Sequence, residues 1–194
     1  MPSILENLLG QLTGDSLDQV GQAIGADKGQ AWNAIGAALP VLLGALSRNA
    51  KSNDGAEALT NALAKDHDGS VLDNLQGFLG QGQASSAAGI LRHIFGGKQS
   101  QVENSLSKTT GLDRGTVLKL LLILAPIVMG MLGKKRKQSG LAARDVADLL
   151  GREEDDLERR SPRSKSLLGG LLDQDGDGDF DLSDITKGVL GKLF

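Results

Sequence analysis

Two stretches of the chain, "VGQAIGADKGQAWNAIGAALPVLLGAL" (20–46) and "LSKTTGLDRGTVLKLLLILAPIVMGML" (106–132), align without a gap. Gly25, Asp27, Gly29, Pro40 and Gly44 of the first fall on Gly111, Asp113, Gly115, Pro126 and Gly130 of the second. Coincidence at one constant offset points to an internal duplication, so one supersecondary unit is used twice. Each copy reads as a short helix, a G-x-D-x-G turn and a longer helix. The first glycine suits a left-handed helix end, and the aspartate is a good N-cap for the helix that follows. The proline falls inside the longer helix, where it removes one backbone hydrogen bond and should kink it.

The two long helices differ in their apolar faces. In the first, Trp32, Ile35, Leu39, Leu42, Leu43 and Leu46 form one stripe, as a helix packed on one side requires. Gly36, Pro40 and Gly44 form a second, small-residue stripe that another helix could approach closely. The second helix, "VLKLLLILAPIVMGML", is apolar almost all round and belongs at the centre of the domain. Its basic flank "KKRK" (134–137) suits a membrane span, but the uninterrupted apolar run from Leu120 to Gly133 has the length of a core helix. Its repeat partner is amphipathic, which also favours the core.

Composition agrees with a helical fold. Hydrophobic residues make up 40% of the 194 but aromatics only 3%, with no Tyr. The core is therefore built from Leu, Ile, Val and Ala, with few of the residues that favour strands. The length suits one domain with appendages. The absence of cysteine excludes disulfides and thiolate chemistry. The opening "MPSILENLLGQL" has no basic region followed by a long apolar run, so no Sec signal peptide is read. Cytoplasm is the default location, with non-classical export left open.

Between the two units, 54–66, 69–80 and 85–97 read as helices separated by Gly-, Ser- and Gln-rich turns. After the second unit, 139–160 reads as a charged amphipathic helix with its N-cap at Ser139, and "SPRSKS" (161–166) as a linker. The expected organisation is a helical domain over 1–137, a charged helix and linker over 138–166, and a C-terminal module over 167–194.

The stretch "GILRHIFGGKQSQVENSLSKTTGLDRGTVLKLLLILAPIVMGMLG" (89–133) resembles the core signature of the bacterial YidB-like family, also called DUF937. "HIFGGKQ" (93–99), "TGLD" (110–113) and "LAPIVMG" (124–130) carry the likeness, which extends over roughly residues 1–135. The resemblance implies a helical fold with a homeodomain-like arrangement and no established activity. It carries over no catalytic residues. The fold class expected is all-α: duplicated helix-turn-helix units followed by a single EF-hand-like loop.

That loop is "DQDGDGDFDLSD" (173–184). A calcium EF-hand takes oxygen ligands from positions 1, 3, 5, 7, 9 and 12, with glycine at position 6 for the turn. Counted from Asp173, these positions are Asp173, Asp175, Asp177, Asp179, Asp181 and Asp184, with Gly178 at the turn and Phe180 available to tuck the loop inward. Crowded carboxylates repel one another until a hard divalent cation relieves them, so Ca2+ is the expected cofactor. Position 12 is Asp where EF-hands usually carry the longer Glu, which favours weaker binding and resembles dockerin-type loops. An acidic, solvated tail is the competing reading. The flanks "SKSLLGGLL" and "LSDITKGVLGKLF" can supply a weak entering helix and an amphipathic leaving one.

Little else carries chemistry. His67 and His93 without a cysteine make a poor zinc set, and His93 reads as a packed or capping residue. "GQGQAS" (80–85) lacks both the preceding strand and the last glycine of a dinucleotide fingerprint. No nucleophile–base pair can be assembled, so no enzyme is expected. DNA binding through the helix-turn-helix units would rest on Lys28, Gln30 and Asn33 in the first copy and on Arg114 and Lys119 in the second. Against it stands the charge balance, 21 basic to 24 acidic residues, which gives no strong electrostatic footprint. The expected function is a non-enzymatic calcium-binding structural or interaction protein, calcium ordering its C-terminal segment. Its expected partner is another protein or a second copy, with a membrane disfavoured and no small-molecule substrate. Two alternatives stay open: a DNA-binding protein using the homeodomain-like helix-turn-helix units, and a self-assembling scaffold independent of calcium.

Overall fold

The structure, a computed structural model, describes residues 3–73, 77–78 and 84–160. All regular structure among the described residues is helical. The order is α1 (Ile4–Gln11), α2 (Asp15–Ile24), α3 (Lys28–Asn49), α4 (Asn53–Lys65) and the short α5 (Ser70–Asp73). Then come α6 (Ala84–Phe95) with a 3-10 turn at Gly96–Lys98, α7 (Gln99–Thr110), α8 (Arg114–Ser139) and α9 (Ala143–Arg160).

The turn chemistry acts alike at the two aligned positions. α2 ends at Gly25 with φ +76° and α7 at Gly111 with φ +74°, the left-handed conformation that favours glycine. Asp27 then accepts the N–H of Gln30 at 2.9 Å, and Asp113 that of Thr116 at 3.1 Å, so each satisfies an orphan donor at the start of a long helix. Pro40 and Pro126 lie inside α3 and α8, and both helices continue past them.

α8 is the centre, as its all-round apolarity requires. Leu120, Leu121, Leu124, Ile127, Val128 and Leu132 are buried, each worth about 1.5–3 kcal/mol of transfer free energy. The helix packs against all of α1 to α7. At its C-terminal half the closest neighbour is backbone. Gly133 abuts the carbonyl oxygen of His67 and Gly130 abuts Val71, and neither position has room for a β-carbon.

Three local expectations change. Trp32 is not in the buried stripe: it is 40% exposed, the largest solvent-facing apolar side chain among the described residues. Ala31, Ala34, Ile35 and Ala38 carry that line instead, and one step along the helix from Ala31 turns Trp32 away by about 100°. Of the small-residue stripe of α3, Pro40 and Gly44 are buried, whereas Gly36 is exposed and a β-carbon there would meet nothing. The close helix approach uses Gly130 and Gly133 of α8. Ser139 does not cap a new helix but closes α8, which ends at Gly140 with φ +63°. The N–H of Gly140 and that of Leu141 both point to the carbonyl of Arg136. α9 starts at Ala143, where Asp145 accepts the N–H of Ala142 at 2.9 Å.

α9 belongs to the body by contact. It lies on α3 and α4 and buries Val146, Leu150 and Leu157. Arg144, Asp145, Asp148, Arg152, Asp155 and Arg159 are exposed, whereas Glu153 and Glu154 turn toward the body. Glu153 is only 7% exposed.

Candidate functional site

The six aspartates expected to hold calcium, Asp173, Asp175, Asp177, Asp179, Asp181 and Asp184, lie outside the described residues. Among the described residues no three His, Asp or Glu side chains come together as a metal site. The candidate sites that remain are the starts of the two long helices, the polar groove beside α9, and the paired carboxylates Glu153 and Glu154.

At the start of α3, Lys28, Gln30 and Asn33 are all exposed, but two of them are engaged. The Lys28 ammonium donates to Asp18 at 3.0 Å, and the Gln30 side chain accepts the N–H of Asp27 at 3.2 Å to complete a capping box. At the start of α8, Arg114 donates to Glu103 at 3.2 Å. Glu103 is buried, 7% exposed, and also accepts from Gln99 at 2.9 Å. Arg114 and Gln99 thus compensate a carboxylate taken out of water. Lys119 is exposed. In the basic run, Lys134 pairs with Asp73 at 2.9 Å. Lys137 lies near Asp68, whose carboxyl is held below its usual range chiefly by hydrogen bonds from Ser70.

The histidines occupy different settings. His93 is exposed, contrary to the packed role read from its neighbours, and the α6 carbonyls beside it serve as acceptors. Asn49 at the end of α3 donates to the carbonyls of His93 and Ile94 at 3.2 and 3.0 Å. His67 is half-buried, and desolvation lowers its pKa below 6.5 although Asp66 pulls the other way. Its backbone carbonyl lies against Gly133.

A groove of about 660 Å³ runs between the end of α3, the start of α4 and α9. Lys51 and Arg144 line it together with Glu57 and Asp148. This alternation of sign gives no preference for an anion or a cation.

The paired carboxylates are the most specific polar feature. Glu153 accepts the N–H of Ile4 at 2.7 Å and that of Leu5 at 3.4 Å. Ser3 accepts the next amide, Glu6, at 3.0 Å. The first turn of α1 is therefore capped jointly by its own serine and by a carboxylate from the far end of the chain. Glu154 accepts from the Ser47 hydroxyl at 2.8 Å and pairs with Arg48 at 3.6 Å.

A family model described as "Bacterial protein of unknown function (DUF937)" matches residues 6–135. The chain belongs to the DUF937 family. The matched segment runs from within α1 to the end of the buried part of α8, so the core helices and both G-x-D-x-G turns lie within it. α9 and the first residues of α1, which Glu153 joins, fall outside it. No curated protein and no solved structure matches the chain. Two helices of this DUF937 protein, α3 and α8, are long and apolar enough to cross a membrane by length and composition, and both are mostly buried within the fold.

Proposed function

We propose that this DUF937 protein is a non-enzymatic calcium-binding structural or interaction protein, in which a helical body carries a single EF-hand-like loop at Asp173–Asp184. One observation carries the reading: six aspartates at loop positions 1, 3, 5, 7, 9 and 12, with Gly178 at position 6 and Phe180 at position 8. An acidic tail needs carboxylates but has no reason to place glycine at the turn and an apolar residue after it. In sequence the loop follows α9, which packs on α3 and α4.

The repeated left-handed glycine, N-cap aspartate and in-helix proline support reading the body as a duplicated, homeodomain-like helix-turn-helix. They lend DNA binding less support, because Lys28, Gln30 and Arg114 are occupied within the fold. Base readout needs such side chains free at the helix start.

Light scattering and circular dichroism of the chelator-treated chain, with and without Ca2+, test the role. A calcium-dependent change of mass or helicity, absent in Asp173→Ala/Asp177→Ala, is the expected result. An identical response from chain and variant, or none from either, removes calcium from the function and leaves the calcium-independent scaffold.

A further inference from the structure

We infer that α1 and α9 form a clasp: a two-helix unit that opens and closes together over the α2–α8 body, with Glu153 as its fastener. The inference goes beyond the calcium reading and does not depend on it.

The two helices come from opposite ends of the described chain and rest on different supports. α9 packs chiefly on α3 and α4, and α1 on α3 and α8. Glu153 is the polar link between them, its two oxygens taking the first two amides of α1. Those amides have no partner within their own helix, and burial deprives that of Ile4 of water. A buried carboxylate is equally costly unless donors surround it. Each end of the link therefore needs the other. The bond is charge-assisted and lies on the positive end of the α1 dipole, which places it among the stronger hydrogen bonds. Glu154 adds a second fastening to Ser47 and Arg48 at the end of α3.

Each helix also has a hinge. α9 is joined to α8 through Gly140, Leu141 and Ala142, with Gly140 at φ +63°. α1 is joined to α2 through a turn that ends at Gly14, with φ +57° and no side-chain cap on the helix it opens. The family match covers α1 from Glu6 onward but stops short of Ile4, Leu5 and all of α9, so the Glu153 link itself lies outside the matched segment. Opening would uncover Ile4, Leu8, Val146, Leu150 and Leu157 together with the α3–α4 surface beneath α9. The clasp thus sets when that apolar surface is available.

Hydrogen exchange of the full chain, read by mass spectrometry of peptides covering α1, α9 and the centre of α8, tests this. In Glu153→Gln, one oxygen remains to accept while the amide NH2 faces an N–H donor. We expect exchange in α1 and α9 to accelerate by the same factor, about tenfold or more for a charge-assisted bond lost, with α8 unchanged. Leu150→Ala, which loosens α9 on its support and leaves the Glu153 side chain in place, should speed α1 as well. Acceleration confined to one helix in either variant overturns the clasp. So does an α1 that exchanges freely in the unsubstituted chain. Loss of protection in α8 in both variants overturns it too, because the two helices would then not be separable from the body.

Discussion

Gly133 lies directly against the carbonyl oxygen of His67, so that the end of α4 crosses α8 backbone to backbone. This contact sets how deeply α8 sits beneath α4 and α5. It also fixes the sign of a substitution that local propensity alone gets wrong. Alanine is preferred to glycine inside a helix by about 1 kcal/mol, yet Gly133→Ala should destabilise the protein by about 1–3 kcal/mol because the crossing must widen. Gly36→Ala, on the exposed face of α3 with nothing near the new methyl, should stabilise by about 0.5–1 kcal/mol. Urea midpoints at unchanged slope measure both. Shifts in the same direction would mean that the crossing is not as close as described.

His67 predicts a pH dependence of stability. Burial lowers its folded-state pKa below 6.5, so the unfolded chain takes up the proton first as the solution is acidified. Stability should be flat with respect to this group above about pH 7.5 and fall as pH drops from there toward the folded-state value. His67→Gln should remove that part of the slope. Urea unfolding of both proteins between about pH 7.5 and 5 reads the difference.

Asp113 should act at lower pH. The hydroxyl and the N–H of Thr116 hold its carboxyl below 3.8. Its contribution is present above the unfolded-state value and is lost as pH falls through the folded-state one. Asp113→Asn keeps an acceptor but loses the charge at the start of α8. It should melt below the unsubstituted protein at neutral pH, and the gap should close in acid. A constant gap across the titration would assign the cap no ionic part.

Glu103 and Arg114 should couple weakly although one partner is buried. The Arg114 side chain is 53% exposed and that of Glu103 only 9%, so solvent screens much of the pair, and a double-mutant cycle should give under about 1 kcal/mol. Glu103→Ala should cost more than Arg114→Ala, because it also strands the amide of Gln99. Equal costs would mean that Gln99 contributes nothing.

Which parts of this fold were legible in the sequence follows from the range of the forces involved. Gly25 and Asp27, and again Gly111 and Asp113, announce helix ends through the conformation of one residue and the reach of one side chain. The centrality of α8 is equally local, since a helix apolar all round has to be buried. Ser139 misled because serine is a good cap wherever it stands, while Gly140 one residue later decided where α8 ends. Trp32 misled because an aromatic at the edge of a stripe looks buried until the neighbouring helices are placed. Gly36 and Gly133 are alike in sequence, and only the crossing of α4 over α8 makes one open and the other essential. Glu153 lies in a run of charges that reads as a solvated face. Its partners, the amides of Ile4 and Leu5, are at the far end of the chain and carry no side-chain signal at all. The aspartate loop is the reverse case, because its whole pattern is contained in twelve consecutive positions.

The central claim, that Asp173–Asp184 is a calcium site, is tested most directly by calorimetric titration of the chelator-treated full chain with Ca2+, then Mg2+, beside Asp173→Ala/Asp177→Ala. Saturable binding of one Ca2+ per chain is expected, with weaker binding of Mg2+ and loss of the Ca2+ heat in the substituted protein. No saturable heat, or a heat that the substituted protein retains, would contradict it and reduce the segment to an acidic tail.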